Sequence, residues 1–169
     1  KYALTQFIQR LELTPKQKAE AKRQHIALRT DLQKLKGVDT VFISGSYARS
    51  TAIRPLQDID LFVVLDPAVF GDPRRVPPLD VLRRFQAAVD GLRPNKALPA
   101  MQSRSVRWSF SKTGISFDLV PAFIDPDDSH LFLIPDQRHN RWVRTNPKVH
   151  QARSQEVHIR SGQALLPLV

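Results

Sequence analysis

Three aspartates have the types and spacing that metal chemistry needs. Asp58 and Asp60 open an apolar run, and strand alternation places both carboxylates on the same side. Two adjacent carboxylates repel each other, and a divalent cation between them removes that cost. Mg²⁺ prefers hard oxygen ligands and retains positions for water or phosphate oxygens. The pair therefore indicates a metal site that handles phosphate groups.

The third aspartate, Asp118, lies in the middle of a second apolar run, between Phe117 and Leu119. A carboxylate inside a strand is costly to bury unless it is paired or bound to a metal. We therefore expect Asp118 to complete the metal site. A structural ion pair is the alternative for Asp118, and a solvated strand end is the alternative for Asp58 and Asp60.

A glycine and a serine, Gly45 and Ser46, follow the apolar segment 38–44. Glycine after a strand lets backbone N–H groups approach a phosphate closely, and the serine hydroxyl can donate a further hydrogen bond. The 11 residues of segment 47–57 separate this pair from Asp58. We expect that excursion to bring a phosphate cradle to the metal site. An ordinary turn is the alternative.

The helices and strands that the sequence predicts around these residues indicate an α+β domain with a mixed sheet. Helical spacing of apolar residues predicts helices over 2–11, 15–36 and 79–92. Alternating and β-branched runs predict strands over 38–44, 59–65, 103–110 and 115–120, with 131–134 as a last short strand. Thr14 is the expected N-cap of the second helix, with Gln17 completing a capping box, and Gly37 is its expected C-terminal cap.

The domain organisation follows from these elements. We expect one catalytic domain over residues 1–169, made of N-terminal helices (1–37), a catalytic α/β core (38–135) and the start of a helical region (146–169). Asn146 and Pro147 resemble an N-cap followed by proline at the first helical position.

Composition limits the function classes. The chain has no cysteine, which excludes disulfides, Cys-ligated zinc and iron–sulfur clusters and agrees with a reducing cytoplasm. No apolar run approaches the roughly 20 residues that cross a bilayer, so we predict no membrane span and a cytoplasmic location. The net charge of +10 favours attraction to nucleotides or nucleic acid, with simple solubility as the alternative.

Two charged surface segments are also predicted. One face of the second helix is basic, and it carries Lys16, Lys18, Lys22, Arg23, Lys34 and Lys36. This face is a candidate site for an activating protein or nucleic acid, and a solvated helix face is the alternative. The acidic run of Asp125, Asp127 and Asp128 is interpreted as a solvated loop.

The order Gly-Ser, spacer, Asp-x-Asp and a later Asp resembles the polymerase β-like nucleotidyltransferase superfamily. Segment 45–53 (GSYARSTAI), followed by segment 58–61 (DIDL), is similar to the bacterial cGAS/DncV-like nucleotidyltransferases, or CD-NTases. Segment 134–136 (IPD), Trp142 and segment 145–150 (TNPKVH) resemble the later region of that family. The resemblance runs from about Phe7 to the C-terminus.

The resemblance implies a polymerase β-like nucleotidyltransferase core, a mixed β-sheet flanked by helices. It implies that Asp58, Asp60 and Asp118 hold two Mg²⁺ ions, for which Mn²⁺ can substitute, and that Gly45 and Ser46 bind the phosphates of a nucleoside triphosphate. The implied product is a cyclic di- or oligonucleotide second messenger of bacterial anti-phage signalling. Two alternatives stay open: nucleotidyl transfer to a protein or an RNA 3′ end, and a non-catalytic nucleic-acid-binding module.

The chain departs from the family pattern in two places. Ser50 stands where many relatives have glycine, a change that leaves the acids untouched. The chain also ends at Val169, inside what resembles the long helix leading to a second, helical lobe. From the resemblance we expect that C-terminal lobe to be truncated.

Overall fold

The structure, a computed structural model, describes residues 13–48, 58–92, 99–110 and 113–147. The predicted helix over 2–11, most of the excursion 47–57, and the region from residue 148 onward lie outside the described residues. No helix in the described ranges is both long and apolar enough to span a membrane.

The described elements are numbered in chain order: helices and strands mix in the first half of the chain, and five strands follow the last helix. The helices are α1 (Pro15–Leu32), α2 (Gly45–Ala48), α3 (Pro67–Phe70) and α4 (Pro78–Asp90). The strands are β1 (Val38–Ser44), β2 (Asp58–Leu65), β3 (Ala100–Met101), β4 (Val106–Phe110), β5 (Ile115–Ile124), β6 (Phe132–Asp136) and β7 (Arg141–Thr145).

The sheet is mixed, as the sequence predicts. Its main path runs β1-β2-β5-β4-β3, while β6 pairs with the end of β5 and β7 pairs with β6. Strands β2 and β5 run parallel at the centre, and every other pair is antiparallel. Because β2 and β5 are parallel and in register, their N-terminal halves lie side by side at the same edge of the sheet. The predicted acids lie on those halves.

Helix α1 begins as its sequence predicts. Thr14 Oγ1 accepts a hydrogen bond from the backbone N–H of Gln17 at 3.2 Å, and Thr14 N donates to Gln17 Oε1 at 2.9 Å. The predicted end is wrong: the helix stops at Leu32 with Gln33 as its C-cap. Gly37 instead has a φ of +80° and packs against Val69. Its left-handed backbone turns the chain into β1 and does not end the helix.

Two apolar clusters cover the two faces of the sheet. The larger one packs leucines of α1 and the buried face of α4 against one face of β2, where Ile59, Leu61 and Val63 are fully buried. The smaller one covers the other face of β2 at its C-terminal half, where Phe62 stacks on Phe42 with ring centroids 5.4 Å apart. Only the start of β2 on that second face remains polar, and it carries Asp58 and Asp60.

The C-terminal half of the sheet differs from the prediction. Strand β5 runs four residues past the expected end, to Ile124, and the expected last strand is followed by β7. The strand expected over 103–110 begins only at Val106, because the preceding residues form a turn in which Gln102 N donates to Ser105 O at 2.8 Å. Trp142 of β7 contacts Phe123 with ring centroids 5.4 Å apart.

The acidic run after β5 is not simply a solvated loop. Asp125 is buried, and its Oδ2 lies 2.6 Å from Nε of Arg144 on β7. Asp127 is bridged by Arg144 and Arg74, whose Nη2 atoms lie 2.8 Å and 2.7 Å from its carboxylate. Asp128 is exposed, as expected. The interpretation as a solvated loop was wrong for Asp125 because its counter-ion comes from a strand that the sequence did not predict.

Candidate functional site

One row of paired residues crosses the sheet and brings the predicted acids together. Ser44 of β1 faces Asp60 of β2, Asp60 faces Asp118 of β5, and Asp118 faces Arg107 of β4. Residues paired in this way project from the same side of a sheet. Asp58 lies two residues before Asp60 and therefore shares that side. The three acids predicted from the sequence stand on one face of two central strands.

The sequence did not reveal the cation in this row. Arg107 donates from Nε to Asp118 Oδ1 and from Nη2 to Asp118 Oδ2, both at 2.9 Å. Its Nη2 also lies 3.0 Å from Oδ1 of Asp58. The structural ion pair that stood as the alternative reading of Asp118 is therefore present. No sequence motif marks Arg107, since its contact depends on the register between β4 and β5.

The electrostatics of the site follow from these contacts. The hydrogen bonds that Arg107 donates to Asp118 are the largest cause that raises the pKa of the Arg107 guanidinium above its usual range. Burial opposes this shift with the next-largest effect, and the nearby negative charges of Asp118, Asp58 and Asp60 add to the rise. Arg107 is therefore a fixed positive charge at every physiological pH. Among Arg107, Asp58 and Asp118, the side chain of Asp118 is the most buried: 14% of it is exposed, against 47% for Asp58.

Gln102, just before the turn into β4, buttresses the arginine. When its side-chain amide is oriented to satisfy both neighbours, its oxygen accepts from Arg107 Nε at 2.8 Å and its nitrogen donates to Ser105 Oγ at 3.0 Å. Arg107 Nε is thereby shared between Gln102 and Asp118. Gln102 is a second site residue that the sequence did not indicate.

The predicted phosphate cradle borders the acids. Gly45 has a φ of +71°, a backbone conformation that L side chains rarely adopt. A Cβ at this position would collide with Oδ2 of Asp60. Ser46 follows in the first turn of the four-residue helix α2 and is half-buried. The glycine therefore lets the end of β1 approach the carboxylate of Asp60.

The donor set fits a divalent cation. Within the described ranges, no three His, Cys, Asp or Glu side chains are already arranged to hold a metal. Arg107 Nη2 contacts the carboxylates of both Asp58 and Asp118 and acts as a stand-in cation there. Carboxylate oxygens from three residues are the hard ligands that Mg²⁺ and Mn²⁺ prefer. The residues present therefore fit such an ion, provided that the guanidinium gives way.

Two other predicted features lie away from the three acids. Asp136 of the Ile-Pro-Asp element is buried, and its Oδ2 lies 2.9 Å from Arg104 Nη2 and 3.1 Å from His139 Nδ1. The hydrogen bonds from Arg104 and then His139 lower the pKa of Asp136 to about 2. All six predicted basic residues are exposed, but only Lys16, Lys18, Lys22 and Arg23 lie on α1, because the helix ends at Leu32, before Lys34 and Lys36. Binding of a partner to that face stays a prediction.

Comparisons with known proteins relate the chain to synthetases of second-messenger nucleotides. The model of the Second Messenger Oligonucleotide or Dinucleotide Synthetase (SMODS) domain family matches residues 1–157. The cyclic AMP-AMP-AMP synthase of an Acinetobacter species is 30% identical over 138 residues, which cover 76% of this chain and 36% of that protein.

Solved structures share the fold at low sequence identity. The structure of E. coli CdnC with ATP superposes with a TM-score of 0.73 at 20% identity, over 92% of this chain and 51% of that one. The apo form of Vibrio cholerae DncV gives a TM-score of 0.72 at 14% identity, over 96% of this chain and 61% of that one. The chain thus spans from about a third to three fifths of the length of these proteins. The expected polymerase β-like core and the resemblance to the CD-NTases are confirmed.

Proposed function

Because the chain belongs to the SMODS domain family, we propose that it is the nucleotidyltransferase domain of a cyclic oligonucleotide synthase. Its substrates are nucleoside triphosphates, and its product is a cyclic di- or oligonucleotide. The observation that carries this proposal is the cross-strand row in which Asp60 faces Asp118, with Asp58 on the same face. Acids placed in this way suit the transfer of a nucleotidyl group, in which negative charge gathers around phosphorus.

The three acids are the proposed ligands of two Mg²⁺ ions, with Mn²⁺ as a substitute. When bound, such ions neutralise triphosphate charge and make the acceptor hydroxyl more acidic. The chain supplies the positions: β2 and β5 are paired over seven residue pairs, so Asp60 and Asp118 cannot drift apart without breaking the centre of the sheet. Rigid placement of this kind reduces how far the site must reorganise during nucleotidyl transfer.

Gly45 and Ser46 are the proposed phosphate-binding residues. The missing side chain of Gly45 leaves the end of β1 in contact with the carboxylate of Asp60, so a phosphate held there lies beside the acids. The Ser46 hydroxyl can donate a hydrogen bond to that phosphate. The structure of E. coli CdnC was solved with ATP, which supports a nucleoside triphosphate as the ligand.

The wider role follows from the family resemblance. We propose that the product acts as a second messenger in bacterial anti-phage signalling. The exposed basic surface of α1 and the residues just after it is the proposed docking site for an activating protein or nucleic acid, because its six lysine and arginine side chains face solvent.

Incubation of the chain with all four nucleoside triphosphates tests this function. The reaction is run with Mg²⁺, with Mn²⁺ and with EDTA, and the products are treated with phosphatase and resolved by mass. We expect a phosphatase-resistant cyclic product that requires the metal. A parallel reaction contains labelled ATP with candidate protein and RNA acceptors. Label that appears on protein or on an RNA 3′ end, without a small product, would instead support transfer to a macromolecular acceptor.

A further inference from the structure

The guanidinium of Arg107 occupies a place that a metal ion would need. Its Nη2 lies 3.0 Å from Asp58 Oδ1 and 2.9 Å from Asp118 Oδ2. A Mg²⁺ ion bound to both of these oxygens would stand about 2.1 Å from each. Such an ion would share both oxygen atoms with Nη2 of Arg107, and two cations held by the same pair of oxygens repel each other. The ion and the Arg107 nitrogen therefore compete for these two atoms.

Arg107 is held in this place by more than one contact. The strand register sets it directly opposite Asp118, and two parallel hydrogen bonds form a bidentate pair with that carboxylate. With its amide oriented as described above, Gln102 accepts a further hydrogen bond from Arg107 Nε. About one third of the Arg107 side chain is exposed to solvent, so packing does not enclose it on all sides.

The acids need a counter-charge when no metal is bound. Three carboxylates on adjacent positions of two central strands repel one another, and Asp118 is largely enclosed. A buried carboxylate without a partner is strongly destabilising. Arg107 removes that cost for Asp118 and Asp58 at once, because a single nitrogen bridges both.

From this geometry we propose that Arg107 is a positioning residue that acts as an internal counter-cation. It holds Asp58 and Asp118 together in the metal-free chain, and it competes with the divalent ion for the same oxygens. The inference rests on the proposed function, since it takes Asp58 and Asp118 as metal ligands. Its consequence is that metal affinity in the free chain is set partly by the strength of the arginine contacts.

Mn²⁺ binding to the nucleotide-free chain provides the test, with free Mn²⁺ followed by electron paramagnetic resonance. Arg107→Gln removes the competing charge. We expect its Kd for Mn²⁺ to fall by about fivefold or more, the lower end of typical coupling between two binding events. The matched control is Arg104→Gln, which breaks another arginine–aspartate pair of the sheet, with Asp136, away from the three acids. Its Kd is expected to equal that of the wild type.

Thermal unfolding gives a second readout that does not depend on activity. In EDTA, Arg107→Gln is expected to have a lower Tm than the wild type, because Asp58 and Asp118 lose the counter-charge of Arg107. Added Mn²⁺ is expected to raise the Tm of Arg107→Gln by more than it raises that of the wild type. A purely structural ion pair would lower the Tm by the same amount with and without metal.

The outcomes separate this inference from the function on which it rests. If the wild type binds Mn²⁺, Asp60→Asn abolishes that binding and Arg107→Gln leaves the Kd unchanged or raises it, the competition is wrong while the metal site stands. If the wild type has no Asp60-dependent Mn²⁺ binding, both the metal site and the competition fail. Should Arg107→Gln not fold, Arg107→Lys keeps the charge without the bidentate contact, and a Kd equal to that of the wild type would refute the competition.

Discussion

Gly45 and Asp60 are fitted to each other: Oδ2 of Asp60 occupies the space into which a Cβ on residue 45 would project. Residue 45 follows β1 directly, and Asp60 is paired with Ser44 across the same two strands. The backbone after β1 can therefore lie against the carboxylate only if residue 45 has no side chain. This contact links the proposed phosphate-binding turn to the proposed metal ligands.

Replacing Gly45 with alanine is expected to impair both binding and stability. The new Cβ collides with the Asp60 carboxylate, and alanine at a φ of +71° costs about 1–2 kcal/mol of backbone strain. Because the collision adds to this strain, we expect the free energy of unfolding in urea to fall by at least that amount and Mn²⁺ affinity to fall as well. Isothermal titration with Mn²⁺ measures the second effect.

The matched control for this substitution is Gly114→Ala. Gly114 has nearly the same φ, +70°, but nothing lies within 4 Å of the position that a Cβ would take. This variant is expected to lose only the stability that the backbone strain costs, while its Mn²⁺ affinity stays unchanged. Equal Mn²⁺ affinities in the two variants would show that the contact between Gly45 and Asp60 has no role in binding.

Asp60→Asn is expected to abolish nucleotide turnover and leave the fold intact. The amide has nearly the shape of the carboxylate but lacks the charge that a divalent ion requires. Product formation from nucleoside triphosphates is measured alongside the circular dichroism spectrum and the Tm. Asp39→Asn, an exposed acid on β1, is the control and is expected to retain full turnover. Normal turnover in Asp60→Asn would refute the proposed role of the three acids.

Local patterns were enough to predict some parts of this site and not others. Alternation in an apolar run located β2 and put Asp58 and Asp60 on one face, and Asp118 stood out because a carboxylate interrupts its strand. The partnership of Arg107 with Asp118 could not be predicted, because it depends on a cross-strand register. The position of Asp125 was misread for a related reason, since its partner Arg144 lies on β7.

The capping box of α1 is expected to contribute measurably to stability. Thr14→Ala removes the hydroxyl that accepts from Gln17 N, and loss of such a cap costs about 1 kcal/mol. We expect the urea midpoint to fall accordingly, with an unchanged m-value. Thr30→Ala, an exposed position inside the same helix, is the control and is expected to be neutral or stabilising. An equal fall in the urea midpoint of both variants would argue against loss of the cap as the cause.

Asp136 is expected to make unfolding sensitive to acid. Its pKa in the folded chain is about 2, against an ordinary value of 3.8, chiefly because of the hydrogen bond from Arg104. A carboxyl group with a depressed folded pKa stabilises the fold fully above its unfolded pKa, and that contribution is lost as the pH falls through the folded pKa. Between about pH 4 and pH 2, the wild type should therefore lose stability more steeply than Asp136→Asn. Urea unfolding across this window measures the difference, with Asp39→Asn as the control for removing an exposed acid. Parallel profiles for the wild type and Asp136→Asn would mean that the contacts with Arg104 and His139 do not stabilise the charged carboxylate.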